Sequence, residues 1–89
     1  MEKRKSLLVI DHNTGFCHWI QEQIAKHGDF AFAGAVHDGR LAPGEIERLR
    51  PDVAILNLVM PYMDGLAILE RVNAKTIATE FVVVTSFTK

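Results

Sequence analysis

Four short apolar runs punctuate the chain, and residues at helical spacing fill the intervals between them. Leu7 to Ile10 is apolar without alternation, the pattern of a strand buried on both faces of a parallel sheet. Phe30 to Val36 alternates large and small residues around Gly34 and predicts a second strand. Val53 to Leu56 predicts a third, closed by the polar Asn57, and Phe81 to Val84 a fourth of buried type, running into Thr85 and Ser86. Between the first two strands, Phe16, Ile20 and Ile24, with Cys17 beside them, give one apolar helix face. Asn13 or Thr14 can cap that helix, and Gly28 occupies its stop position. Trp19 lies off the apolar line, so it is either half-buried at the helix edge or a contact for a partner.

The next interval is less regular. His37-Asp38-Gly39 predicts a turn, and Pro43-Gly44 would break a helix interior. Placing Pro43 at the first helical position predicts a short helix from Pro43 to Arg50, with Ile46 and Leu49 inward. Pro51-Asp52 then turns the chain into the third strand. After Asp64-Gly65, Leu66, Leu69 and Val72 recur at helical spacing with Ile68 alongside, predicting a helix from Leu66 to Asn73. Ala74 to Thr79 is a connection. Strands alternating with helices imply right-handed crossovers and an α/β fold with a parallel sheet. Ligands of such sheets sit beyond the carboxyl ends of the strands, where this chain places Asp11, His12 and Asn57.

The stretch Val-Ala-Ile-Leu-Asn-Leu-Val-Met-Pro-Tyr-Met-Asp-Gly, residues 53–65, taken with Leu-Leu-Val-Ile-Asp-His at 7–12, resembles the receiver domain of bacterial two-component response regulators. Within that family the run from Pro51 to Arg71 is most similar to the receiver of the sporulation master transcription regulator. The resemblance covers essentially the whole chain. It implies a flavodoxin-like (CheY-like) doubly wound parallel sheet in the strand order 2-1-3-4-5, of which this chain supplies four strands and three helices. The expectation is one receiver-like domain over residues 1–89, incomplete at its C-terminus, without the last strand, its helices and the lysine and aromatic residue they carry. A fragment and a natural short relative both fit that expectation.

The resemblance also implies a site. Active members place two acidic residues after the first strand beside an acceptor aspartate at the end of the third, and together these bind Mg²⁺. A carbonyl two residues past the acceptor, matching Val59, completes the protein's metal ligands. A hydroxyl after strand four, matching Thr85, contacts the phosphoryl group. Asp11 matches the first acidic position, but His12 stands at the second and Asn57 at the acceptor. Imidazole suits softer metals than Mg²⁺, so Asp11, His12, Asn57 and Val59 match a metal site of weak or absent Mg²⁺ binding. An amide is neutral and a poor nucleophile toward phosphorus, so phosphorylation at Asn57 is not expected. Two departures together favour a naturally degenerate site over a single engineered change. A transition-metal site at Asp11, His12 and Asn57 is the alternative to a His12 side chain merely hydrogen-bonded to Asn57 or backbone. His18 and Glu22, four apart on the first helix, are read as a solvated face. His27 and His37 show no partner pattern.

Composition narrows the rest. With 89 residues there is room for one domain, and 48% apolar content excludes disorder. The net charge of −1 offers no surface for nucleic acid, and Lys3-Arg4-Lys5 is read as a solvated lead-in. Leu7 to Ile10 is too short for an export signal, and no run reaches membrane-span length. One cysteine permits no internal disulfide and suits a reducing compartment, so the chain is read as cytoplasmic. The leading expectation is a non-enzymatic pseudo-receiver without a cofactor. It acts through protein contacts with a histidine kinase or phosphotransferase relative, and as a homodimer. The rivals are a fragment or acceptor-site variant of an active sporulation-type regulator, and a small-molecule or nucleotide binder using the strand ends, against which the lack of a glycine-rich phosphate loop after strand one counts.

Overall fold

The computed structural model describes residues 4–75 and 77–85. Lys3 of the basic run, Thr76 in the last connection, Ser86 and Lys89 lie outside the described residues. Strands β1 (Lys5–Ile10), β2 (Phe30–Val36), β3 (Val53–Asn57) and β4 (Glu80–Val84) form one parallel sheet in the order β2-β1-β3-β4. Helices α1 (Thr14–His27), α2 (Ala42–Leu49) and α3 (Gly65–Asn73) connect them. This is the α/β parallel sheet that the alternation predicts, in the doubly wound order that the resemblance implies.

The uninterrupted apolar run of β1 is explained by two cores, one on each face. Leu8 and Ile10 pack with Ala54, Leu56, Ile46 of α2 and Ile68 and Val72 of α3. Leu7 and Val9 face the other way, toward Cys17, Phe16, Ile20 and Ile24 of α1. At its start, β1 is tied to the β3 entry: Ser6 N–H donates to Asp52 Oδ2 at 2.8 Å, and Asp52 N–H to Ser6 Oγ at 3.0 Å.

Helix α1 starts and stops where its sequence says. Phe16 N–H donates to the Asn13 side chain at 3.0 Å, and Gly28 ends the helix in the left-handed region at φ 77°. The α2 region differs from expectation. A 3-10 turn over Gly39–Leu41 runs directly into the helix, so Pro43 is its second residue rather than its first. Arg50 leaves the helix in a left-handed conformation at φ 48°. The turn forms because the Asp38 carboxylate accepts the Arg40 N–H, holding the chain tight before the proline.

Two further expectations need correction. Helical spacing with Leu69 and Val72 places Leu66 on the inner face of α3, yet it is 63% exposed. The helix begins one residue earlier, with Gly65 packed on Leu58, and Gly65, Ile68 and Val72 take the buried positions. Leu66 is a hundred degrees around from Gly65 and points outward. The fourth strand is buried only in part: Phe81 packs against the core under α3, whereas Val82 and Val83, on opposite faces, are 51% and 45% exposed. Trp19 is likewise more than half exposed and stacks on Phe16 with ring centroids 6.4 Å apart.

Candidate functional site

The carboxyl ends of β1 and β3 are adjacent, since Ile10 pairs with Leu56, and this brings Asp11 and Asn57 to one cavity of about 410 Å³. His12 and Val59 line its rim, and Phe16 and Val84 form apolar walls. Asp11 and Asn57 are the buried polar residues of the described chain, each 5% exposed. Asp11 Oδ1 accepts the Asn13 N–H at 2.9 Å, and Asn57 Oδ1 accepts the Val59 N–H at 3.0 Å. Each side chain thus closes a small turn on the backbone two residues ahead, which orients it without help from a ligand. The loop past Asn57 is itself held down: Leu58 N–H donates to Val84 O at 3.0 Å and Gly65 N–H to Leu58 O at 2.9 Å.

His12 does not hydrogen-bond Asn57. Its exposed ring places Nδ1 3.6 Å from Asp11 Oδ1. Thr85 is exposed after β4 and stands outside the cavity lining, where Val84 takes the place facing Asn57. Structure therefore brings Asp11, His12, Asn57 and Val59 together and leaves Thr85 apart. Among the described residues no three His, Cys, Asp or Glu side chains converge.

His37 is the residue that sequence reasoning missed. Its Nδ1–H donates to the Asp11 carbonyl at 3.1 Å and lies 3.7 Å from the Cys17 sulfur. The signal was present in the register, because Val36 pairs with Ile10 and so sets His37 beside Asp11. What aims the ring is a bulge. The register steps from Leu7–Phe32 to Leu8–Gly34, leaving Ala33 unpaired, with Gly34 at φ 152°. One extra residue reverses the alternation, so Val36 joins the α2 and α3 core while Phe30 and Phe32 pack toward α1. His37 then turns to the α1 face, where Cys17 sits.

A second contact lay outside the sequence pattern. Arg40 is held by Asp38 through two side-chain bonds of 3.1 and 2.8 Å, and its guanidinium lies 4.1 Å from the ring centre of Tyr62. Tyr62 adopts φ 72°, unusual for a residue with a side chain, on the loop that leads to α3. The Arg40 partner holds the Asp38 carboxyl below its usual range.

Mg²⁺ needs carboxylates and phosphate oxygens in near-octahedral array. Here one carboxylate, one imidazole and one amide meet, and that donor set does not suit Mg²⁺. Nor does the site offer a carboxylate at the strand-end position of Asn57 that could attack phosphorus.

The Response regulator receiver domain family matches residues 7–89, and the chain belongs to that family. Over 70 residues it is 36% identical to a protein-glutamate methylesterase/protein-glutamine glutaminase of Geobacillus kaustophilus strain HTA426, a match covering 79% of this chain and 20% of that protein. The chain thus spans about a fifth of the length of this curated relative. Among solved structures, the response regulator domain of Thermotoga maritima CheB superposes with a TM-score of 0.87 at 25% identity, covering 98% of this chain and 64% of that one. A LuxR-family DNA-binding response regulator from Staphylococcus aureus gives 0.84 at 29% identity, covering 96% and 71%. The signal receiver domain of the response regulator NarL from Mycobacterium tuberculosis gives 0.89 at 24%, covering 99% and 71%, a likeness of fold. Among the described residues no helix is long and apolar enough to cross a membrane.

Proposed function

We propose that this chain is a pseudo-receiver, a signalling module that does not take up a phosphoryl group and works through protein-protein contact. One observation carries the reading: the strand-end position facing the cavity holds Asn57, buried and capped by the Val59 N–H. The amide can accept hydrogen bonds but cannot supply the anionic oxygen that an aspartyl phosphate requires. His12 in place of a second carboxylate supports it, since metal and phosphate recognition lose the same charge. The closer affinity proposed is to the receiver of the sporulation regulator, on the residues from Pro51 to Arg71. The proposed partners are a histidine kinase or phosphotransferase relative and a second copy of the chain, in the cytoplasm, with no reaction catalysed and no direct contact to nucleic acid.

The test is exposure to acetyl phosphate with Mg²⁺, followed by intact-mass spectrometry. The chain should keep its mass. A base-labile phosphoryl adduct on an aspartate would sink the reading. A second reading makes the chain the regulatory portion of a longer regulator, and it is favoured by the share of the methylesterase that the chain spans. Sequencing the gene on both sides of these residues tests it: a frame extending past either end supports it, and a frame confined to the 89 residues removes it.

A further inference from the structure

We infer that Arg40 and Tyr62 form a latch between the turn before α2 and the loop joining β3 to α3. The latch holds that loop in a strained backbone state, from which it opens to present the whole Tyr62 ring. Tyr62 and Arg40 stand outside the lining of the Asn57 cavity, and the latch operates whether or not the chain takes up a phosphoryl group.

The strain sits at one residue. Tyr62 has φ 72°, and the Met63 N–H donates to Pro61 O at 2.9 Å across it. A hydrogen bond closed over a single residue of positive φ is a γ-turn of the rare, strained hand. Glycine or asparagine adopts positive φ readily, whereas tyrosine stays there only when its surroundings hold it. On one side of the turn Met60 is buried in the core. On the other, Asp64 caps α3 by accepting the Ala67 N–H at 3.0 Å, and Gly65 N–H is bound to Leu58 O. The ring of Pro61 fixes its own φ. Tyr62 is thus the hinge, with Met63 following it.

Arg40 supplies the remaining hold. Its guanidinium lies 4.1 Å from the centre of the Tyr62 ring, and the Asp38 carboxylate keeps it there through two side-chain bonds. A guanidinium already fixed by an ion pair loses little further freedom when a ring stacks on it. The stacking of an exposed cation on a ring is of the same order as the cost of one strained residue, and opposes it. The closed and open loops are therefore near in free energy, with the open form at about 1–10% of the molecules. Opening returns Tyr62 to negative φ, releases the Met63 N–H to water and lifts the ring off Arg40. The ring is already 78% exposed, so opening adds the face that the guanidinium covers. A partner's aromatic or aliphatic side chain meets both faces only in that state. Leu58, bound to Val84 and Gly65, confines the motion to the turn and leaves the Asn57 end in place.

The experiment is NMR of the whole chain, reading backbone relaxation dispersion and the Arg40 side-chain resonances. Exchange should be confined to the Tyr62 and Met63 amides, and the ring current of Tyr62 should move the Arg40 side-chain protons upfield. Arg40→Ala, at an exposed side chain, should keep the spectrum of the folded chain and raise the open population about three- to tenfold. Tyr62→Phe keeps a ring over the guanidinium and should leave that population within about twofold. Tyr62→Ala should abolish the upfield shift, and adding Arg40→Ala to it should have no further effect on exchange at Met63. A Tyr62 and Met63 without exchange would overturn the latch, as would an open population indifferent to Arg40→Ala. Equal effects of Arg40→Ala with and without the Tyr62 ring would overturn it too, and exchange spread through Leu58, Val59 and Gly65 would remove the confined hinge. None of these outcomes bears on phosphoryl transfer, which the acetyl phosphate test reads separately.

Discussion

Cys17 shows how much one buried atom depends on its neighbours. Its side chain is 3% exposed, and its sulfur approaches the Asp11 carbonyl at 3.5 Å. Burial, and after it the Asp11 carboxylate, push the thiol above its ordinary value of 9.0. The folded chain therefore holds this proton more tightly than the unfolded one. That contribution to stability is complete below pH 9.0 and disappears as pH rises through the higher folded value. Urea midpoints measured on either side of pH 9.0 should fall on the alkaline side, and the fall should shrink in Cys17→Ala. The native thiol should also resist Ellman's reagent until the chain is unfolded. Rapid labelling of folded protein would contradict both the burial and the raised value.

At the scale of elements, two glycines let loops and helices meet. A Cβ on Gly39 would collide with the Met63 carbonyl, where the 3-10 turn crosses the loop after β3. A Cβ on Gly65 would lie 2.8 Å from Leu58 Cα, where α3 begins against the end of β3. Both obstacles are backbone, so relief requires moving the loop that carries Asn57. Gly39→Ala and Gly65→Ala should each cost about 1–3 kcal/mol in chemical denaturation. Gly44 is the control. It stands in α2 with no atom within 4 Å of a built Cβ, and Gly44→Ala should stabilise by roughly 0.5–1 kcal/mol. Equal effects at the three sites would refute the close-approach account.

Across the whole molecule, the two edges of the described sheet are unlike. On β2 the bulge at Ala33 and Gly34 distorts the free edge, a common defence against pairing with another chain. On β4 there is neither bulge nor proline, its single charge is Glu80, and Val82 and Val83 present apolar surface on both faces. The 89-residue chain is expected to self-associate through this edge, and a symmetric dimer would cover it on both copies at once. Light scattering across a concentration series should show a mass above that of one chain, and Val83→Lys should shift it toward the monomer. A folded, cooperative monomer at micromolar concentration would end that expectation.

Much of this was legible in the chain itself. The double-faced burial of β1, the Asn13 and Gly28 ends of α1 and the strand ending at Asn57 follow from local composition, because period, capping and turn chemistry act over a few residues. The residue types at the site were equally plain, since an amide and an imidazole differ from carboxylates whatever surrounds them. Other features arise only between residues far apart in sequence. The outward turn of Leu66 depends on Gly65 seating against Leu58, which moved the start of α3 and its inner face by one position. Tyr62 takes its left-handed backbone on a loop whose ring meets Arg40, from another crossover. His37 finds Asp11 and Cys17 because a one-residue bulge, set by hydrogen bonding between β1 and β2, reverses which face each later side chain meets. Alternation along β2 alone cannot reveal that step, because a period-two pattern carries no record of where the partner strand drops a pair.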